Sequence, residues 1–119
     1  MTRFVFRFAL LGVAVASVAC AANFPPPSER LSSAEAASRS AREMGAEKDP
    51  KAALYLKYAN EQIDQSKALI AAGENRRADE ILSRASADAE LALQLAKEQS
   101  MRAAAKEALD KLKALRAGK

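Results

Sequence analysis

Two alanine-rich amphipathic segments that meet at Gly73 constrain the fold of this chain more than any other feature. In both segments, small and aliphatic residues recur at alternating steps of four and three: Ala52, Leu56, Ala59, Ile63, Ser66 and Ile70 before the glycine, and Ala78, Leu82, Ala85, Ala89, Ala92 and Ala96 after it. This spacing places each set along one face of an α-helix. The short connection around Gly73 reverses the chain, so the pattern predicts an antiparallel, coiled-coil-like helical hairpin with a close, dry seam.

Turn and capping residues set the limits of the predicted hairpin. Its two helices are predicted over about 50–72 and 75–117. Asp49 is the expected N-cap of the first, and Pro50 suits the first helical position because its missing N–H is no loss there. Gly73 tolerates the left-handed conformation that often follows a helix, and Asn75 is the expected cap of the second helix. That helix meets no further Pro or Gly until the last two residues of the chain.

A shorter helix is predicted ahead of the hairpin, over about 32–45. Ser32 and Glu35 have the spacing of a capping box, with Leu31 before them as a staple residue, and Gly45 is expected to end the helix. Its apolar stripe is weak and consists of Ala34, Ala37, Ala41 and Met44. We therefore predict an all-α protein whose first helix is held by docking on the hairpin rather than by its own burial.

The N-terminal residues predict export. Arg3 and Arg7 precede an apolar run that is too short for a settled transmembrane helix, so residues 1–19 are predicted to be a signal peptide. The run ends in Ser17-Val18-Ala19-Cys20, which resembles the bacterial lipobox. That resemblance implies acylation of Cys20, palmitate included. Because Ala21 rather than an aspartate follows, it also implies attachment to the periplasmic side of the outer membrane.

Two further segments follow the signal peptide. Residues 20–30 are predicted to comprise the lipidated cysteine and a Pro-rich tether, because Phe24-Pro25-Pro26-Pro27 prefers an extended polyproline form that spaces the domain from the lipid surface. Residues 31–119 are predicted to form the helical domain. Cleavage by ordinary signal peptidase, for which Ala19 and Ala21 supply small residues, remains an alternative. It would leave a soluble periplasmic or secreted protein with an unlipidated cysteine.

Composition argues against catalysis. The chain has no His and a single Cys, Cys20, so it lacks the residues for Cys and His zinc sites and for Ser-His or Cys-His nucleophilic pairs. The carboxylate pairs Asp79-Glu80 and Asp88-Glu90 lie one and two residues apart, so the members of each pair point in different directions on a helix and are not expected to act together as acid and base. We therefore predict no enzyme activity, no cofactor and no metal site. The net charge of +4 comes from the leader and the C-terminal end, so no nucleic-acid partner is predicted either.

A second apolar stripe follows the hairpin seam on a rotated face of the last helix. It consists of Ala105, Ala108, Leu109, Leu112 and Leu115. The first hairpin helix can pair only with the half of its partner that ends near Lys97. Part of the second stripe could be covered by the 32–45 helix, and the remaining alternatives are another copy, a protein partner or fraying. We predict a surface for partner binding or self-association here.

The residues from Leu56 to Ala96 resemble the DUF 4398 family, a bacterial domain of unknown function. The resemblance is carried by the hinge run Ala71-Ala72-Gly73-Glu74, by Ala78, and by the run from Ala85 to Ala92. It implies a helical fold and a lipoprotein leader, and it brings no catalytic residues.

These features predict a lipid-anchored helical protein of the cell envelope that acts as a structural or protein-interaction module. One alternative is a peptidoglycan tether, either non-covalent or covalent through Lys119 at the end of the basic tail. The other is the soluble secreted protein with unlipidated Cys20.

Overall fold

The computed structural model describes residues 23–118, so the predicted signal peptide, Cys20 and Lys119 lie outside the described residues. The described part contains three α-helices, a short 3₁₀ turn and no strand. The helices are α1 (Ser28–Glu43), α2 (Pro50–Ala71) and α3 (Asn75–Ala117), and the 3₁₀ turn is Ala46–Lys48. The predicted all-α fold is confirmed, and the bounds of the two hairpin helices agree with prediction to within one residue. None of the described helices is apolar over a length that could cross a bilayer.

The start of α2 follows the predicted capping chemistry. Asp49 has an extended backbone, and its carboxylate accepts a hydrogen bond of 2.7 Å from the Ala52 N–H. Pro50 is the first helical residue. The cap satisfies one of the amide groups that the first turn of a helix leaves without a partner.

We expect Asp49→Ala to lower the free energy of unfolding by about 1 kcal/mol, because it removes the acceptor of the Ala52 amide. Urea unfolding followed by circular dichroism measures the change. Asp49→Ser is the matched control, since a serine hydroxyl can accept the same hydrogen bond. Equal losses in the two variants would show that the cap does not account for the effect.

A Schellman motif ends α2 and reverses the chain. Gly73 has a φ of 76°, its N–H donates to the Ile70 carbonyl at 3.0 Å, and the Glu74 N–H donates to the Leu69 carbonyl at 2.9 Å. The predicted left-handed glycine is thus observed. The predicted Asn75 cap is wrong, because Glu74 is the N-cap residue of α3 and makes no side-chain cap. Asn75 lies inside the helix, and its side-chain amide donates to the Phe24 carbonyl at 2.8 Å.

We expect Gly73→Ala to cost about 1 kcal/mol of stability, because a Cβ at positive φ is strained in the left-handed region. Beyond its two neighbours in the chain, no residue would lie within 4 Å of a Cβ at this position, so the cost arises from the backbone alone. Gly118→Ala is the control, since Gly118 has a φ of −82°. A loss of stability in Gly118→Ala that equals the loss in Gly73→Ala would contradict the backbone explanation.

The beginning of α1 differs from prediction. The helix starts at Ser28, four residues early, with Pro27 as the N-cap residue and a hydrogen bond of 2.9 Å from the Leu31 N–H to the Pro27 carbonyl. The capping box is therefore not formed, and the Ser32 hydroxyl donates to the Ser28 carbonyl inside the helix at 3.0 Å. Leu31 is not a staple residue but packs against the bundle core. The extra turn is favoured because it adds this apolar contact and places an acidic residue, Glu29, at the helix N-terminus.

The end of α1 agrees with prediction, whereas the buried residues of the helix agree only in part. The helix ends at Glu43, and Gly45 follows with a φ of 87°. The predicted stripe is buried at Ala34 and Ala41 only. Ala37 is half-buried and Met44 is exposed, while Ser38, which the stripe did not include, is buried.

The three helices form a bundle in which α1 runs parallel to α3 and packs more on α3 than on α2. One core cluster, near the Gly73 turn, contains Ala34, Ile63, Leu82 and Ala85. The second, at the opposite end, contains Ala41, Ala46, Ala52, Leu56, Ala92 and Ala96. All six predicted seam residues of α3 are buried, and so are all those of α2 except the half-buried Ile70. The seam residues of α2 and α3 therefore pack with α1 in a three-helix core.

Candidate interaction surface on α3

The second half of α3 projects beyond the bundle. Ala96 is the last buried residue of the helix, and every residue from Lys97 to Gly118 is exposed. At 1.5 Å per residue, the helix extends roughly 30 Å past its last packed turn. The α1–α2 connection lies at the end from which α3 projects, because Ala46 packs in the same cluster as Ala96.

The predicted second stripe lies on this projecting half and is exposed along its whole length. Leu109, Leu112 and Leu115 are 56%, 44% and 72% exposed, and Ala105 and Ala108 are exposed as well. The prediction missed Met101, which is 66% exposed and extends the stripe by one turn at the correct spacing. We call the full set the α3 stripe: Met101, Ala105, Ala108, Leu109, Leu112 and Leu115.

The α3 stripe faces away from the rest of the bundle. At 100° per residue, its mean direction is rotated by about 150° from that of the seam residues between Ala78 and Ala96. Coverage of part of the stripe by the first helix, one of the predicted alternatives, is wrong. Because α1 is parallel to α3 and its last turns pack beside Ala92 and Ala96, it reaches only the first half of α3.

Basic residues border the α3 stripe. When its 4–3 spacing is written as a heptad, the charged residues at the two flanking positions are all basic: Lys97, Arg102, Lys111 and Arg116. We call this set the basic flank. Two of its members form exposed ion pairs along α3 itself, Arg102 with Glu98, and Lys111 with Glu107 at 2.6 Å. Exposed pairs of this kind contribute little to stability.

A polar groove lies between α1 and α2. It has a volume of about 580 Å³, and its lining includes Glu35, Ser38, Asn60 and Lys67. Ser38 hydrogen-bonds to Asn60 at 2.6 Å, and Lys67 pairs with Glu35 at 2.7 Å. The hydrogen bond to Glu35 raises the pKa of Lys67 above its ordinary value. These groups satisfy one another across the helix interface, so the groove is part of the packing of α1 on α2.

Two of the four carboxylates considered in the sequence, Asp79 and Asp88, lie in contacts between helices. Asp79 pairs with Arg30 at 2.6 Å and joins α3 to α1, and Asp88 accepts a hydrogen bond of 2.7 Å from Gln62 and joins α3 to α2. Within residues 23–118, no cluster of three or more metal-ligating side chains occurs.

The segment before α1 is held on the Gly73 end of the bundle. The Asn75 amide binds the Phe24 carbonyl, and the Arg76 guanidinium lies 5.7 Å from the centroid of the Phe24 ring. Phe24 is therefore fixed beside the first turn of α3. The chain enters the bundle at the end opposite to the α3 stripe.

A family model for a domain of unknown function, DUF4398, matches residues 29–116. The chain belongs to the DUF4398 family. The match exceeds the segment that carried the sequence resemblance, residues 56–96, and includes nearly all of α1 and the α3 stripe. The projecting half of α3 is thus part of the DUF4398 domain rather than an appendage to it. No curated protein and no solved structure shows significant similarity to the chain.

Proposed function

We propose that this DUF4398 protein is a lipid-anchored protein of the bacterial cell envelope that acts without catalysis, by binding another protein through the α3 stripe. The observation that carries the proposal is the exposure of that stripe. Three leucines and a methionine lie along one face of a helix that leaves the bundle. Contiguous exposed apolar surface of this kind typically marks an interaction site.

The relative positions of the chain entry and the stripe support this role. Phe24 is held beside Asn75 and Arg76, at the first turn of α3, whereas the α3 stripe spans residues 101–115, near the other end of the same helix. An anchor at Cys20 on the periplasmic side of the outer membrane would thus leave the stripe clear of the lipid surface and accessible to a partner.

The anchor is tested by the intact mass of the protein purified from its host. We expect a chain that begins at Cys20 and carries the mass of acyl groups, and we expect Cys20→Ser to lose that mass. An unmodified cysteine, or a mature chain that begins after it, would instead support the soluble secreted alternative.

We expect a photo-crosslinking residue at Leu112 to capture a protein in the native host, and the same residue at Leu54 to capture none. Both leucines are 44% exposed, but Leu54 lies on α2, outside the stripe. We also expect Leu112→Glu to change the free energy of unfolding by less than about 0.5 kcal/mol, because the side chain is not part of the core. Equal crosslinking from the two sites would contradict the assignment of the stripe as the binding surface.

A further inference from the structure

We infer that the α3 stripe binds an acidic amphipathic α-helix of another protein, as one strand of a coiled coil. The inference rests on the proposed interaction function and adds the chemistry of the partner. Three features carry it: the spacing of the stripe, the charge of its flanks and the size of its side chains.

The spacing of the stripe is that of a coiled-coil seam. Met101, Ala105, Ala108, Leu112 and Leu115 alternate at steps of four and three, which is the repeat that lets two helices pack knobs into holes. Ala105 and Ala108 project little from the helix, so the partner's backbone can approach closely. The larger side chains lie on both sides of these alanines and can insert into the partner helix.

The basic flank disfavours a second copy of the chain as the partner. In a parallel pair, Lys111 would lie opposite Arg116 of the other copy. In the antiparallel register that overlaps the leucines, Arg102 would lie opposite Arg116, and Lys111 opposite its own equivalent. Neither orientation provides an acidic residue at a flanking position, and like charges at these positions oppose association.

An acidic helix would supply the negative charges that a second copy of the chain lacks at the flanking positions. Glu or Asp at its flanking positions would face four basic residues of α3, the basic flank. The ion pairs that Arg102 and Lys111 make with Glu98 and Glu107 lie on the exposed surface and exchange readily for pairs across an interface. Arg116 forms no ion pair within the described residues.

An anionic membrane surface is the competing occupant, because basic amphipathic helices also bind lipid. The side chains of the stripe favour a helix. Membrane-surface helices bury bulky and aromatic side chains among the lipids, whereas the α3 stripe has no aromatic residue and carries alanine at two of its six positions.

Two synthetic helical peptides of three heptads test the inference. Both carry Leu at the seam positions, and one carries Glu and the other Lys at the flanking positions. The mature protein, purified from its host in non-ionic detergent, is titrated into each fluorescently labelled peptide, and anisotropy gives the Kd. We expect the acidic peptide to bind at least about tenfold more tightly than the basic peptide at low salt, and the difference to shrink at high salt.

Matched variants locate the site. We expect Leu112→Glu to weaken binding of the acidic peptide at least about tenfold, and Leu54→Glu to leave the Kd unchanged. Circular dichroism establishes that both variants keep the helical content of the parent.

Four results would overturn the inference. Equal affinity for the two peptides would remove the charge argument and leave the interaction function standing. Binding of neither peptide would exclude a coiled-coil partner. The crosslinking experiment at Leu112 would then be the separate test of whether the α3 stripe binds a protein. A dimer in sedimentation that disappears in Leu112→Glu would identify a second copy as the occupant. Displacement of the acidic peptide by mixed micelles of phosphatidylglycerol would identify anionic lipid. A missing acyl mass at Cys20 affects only the proposed anchor.

Discussion

Replacement of Leu82 by alanine is expected to lower the free energy of unfolding by about 2–5 kcal/mol. Leu82 is fully buried and is the largest of the fully buried side chains in the described part of the chain. It packs in the cluster with Ala34, Ile63 and Ala85. Since two of these three neighbours are alanines, they have little side chain with which to fill the space that the leucine leaves. Chemical unfolding followed by circular dichroism measures the loss.

The matched control for this experiment lies on the same helix. Leu115 is 72% exposed, so the same substitution, Leu115→Ala, is expected to change the free energy of unfolding by less than about 0.5 kcal/mol. The contrast separates loss of core packing from any effect of the substitution on the helix. A Leu82→Ala variant as stable as Leu115→Ala would mean that the core does not depend on this contact.

Enlargement of Ala89 to leucine is expected to destabilise the bundle by about 1–3 kcal/mol. Ala89 is fully buried in the middle of the seam, with Ala85 and Ala92 on either side, also fully buried. A leucine there has three more carbon atoms than the site holds, so either the side chain leaves its preferred rotamer or the helices move apart. Thermal unfolding gives the change in midpoint, and denaturant unfolding gives the free energy.

Ala103→Leu provides the comparison, because Ala103 lies on the projecting half of α3 and is exposed. Alanine and leucine have similar helix propensities, so this variant is expected to unfold within about 0.5 kcal/mol of the parent. An Ala89→Leu variant with unchanged stability would contradict close approach of the helices at the seam.

The seam and the turn were predictable because they depend on local rules. Burial on a helix follows the 3.6-residue period, and the residues from Ala78 to Ala96 keep to it without interruption. Gly73 and Asp49 act within one turn of their own positions, so their residue types were sufficient to predict the end of α2 and its start. The same reasoning identified most of the α3 stripe.

The errors fall where a distant contact competes with a local rule. Asn75 is a good capping residue, yet its amide binds the Phe24 carbonyl, which lies far away in sequence. Glu35 has capping-box spacing from Ser32, but it pairs with Lys67 on α2. The spacing of α1 gave no indication that it would run beside only the first half of α3. Each of these outcomes depends on where the three helices lie relative to one another. The residue pattern within one segment carries no information about those positions.

The chain enters the bundle at the first turn of α3, so the two ends of the molecule differ: one carries the N-terminal segment and the other carries the α3 stripe. With Cys20 as the anchor, the path to Phe24 spans at most about 14 Å, because four residue steps of about 3.6 Å separate them. From that end, Met101 lies about 40 Å and Leu115 about 60 Å along the helix. The protein would therefore act as a spacer that holds the α3 stripe at a fixed distance from the attachment point. A heptad added to α3 ahead of the stripe, or deleted there, would move the stripe by about 10 Å and leave its orientation nearly unchanged.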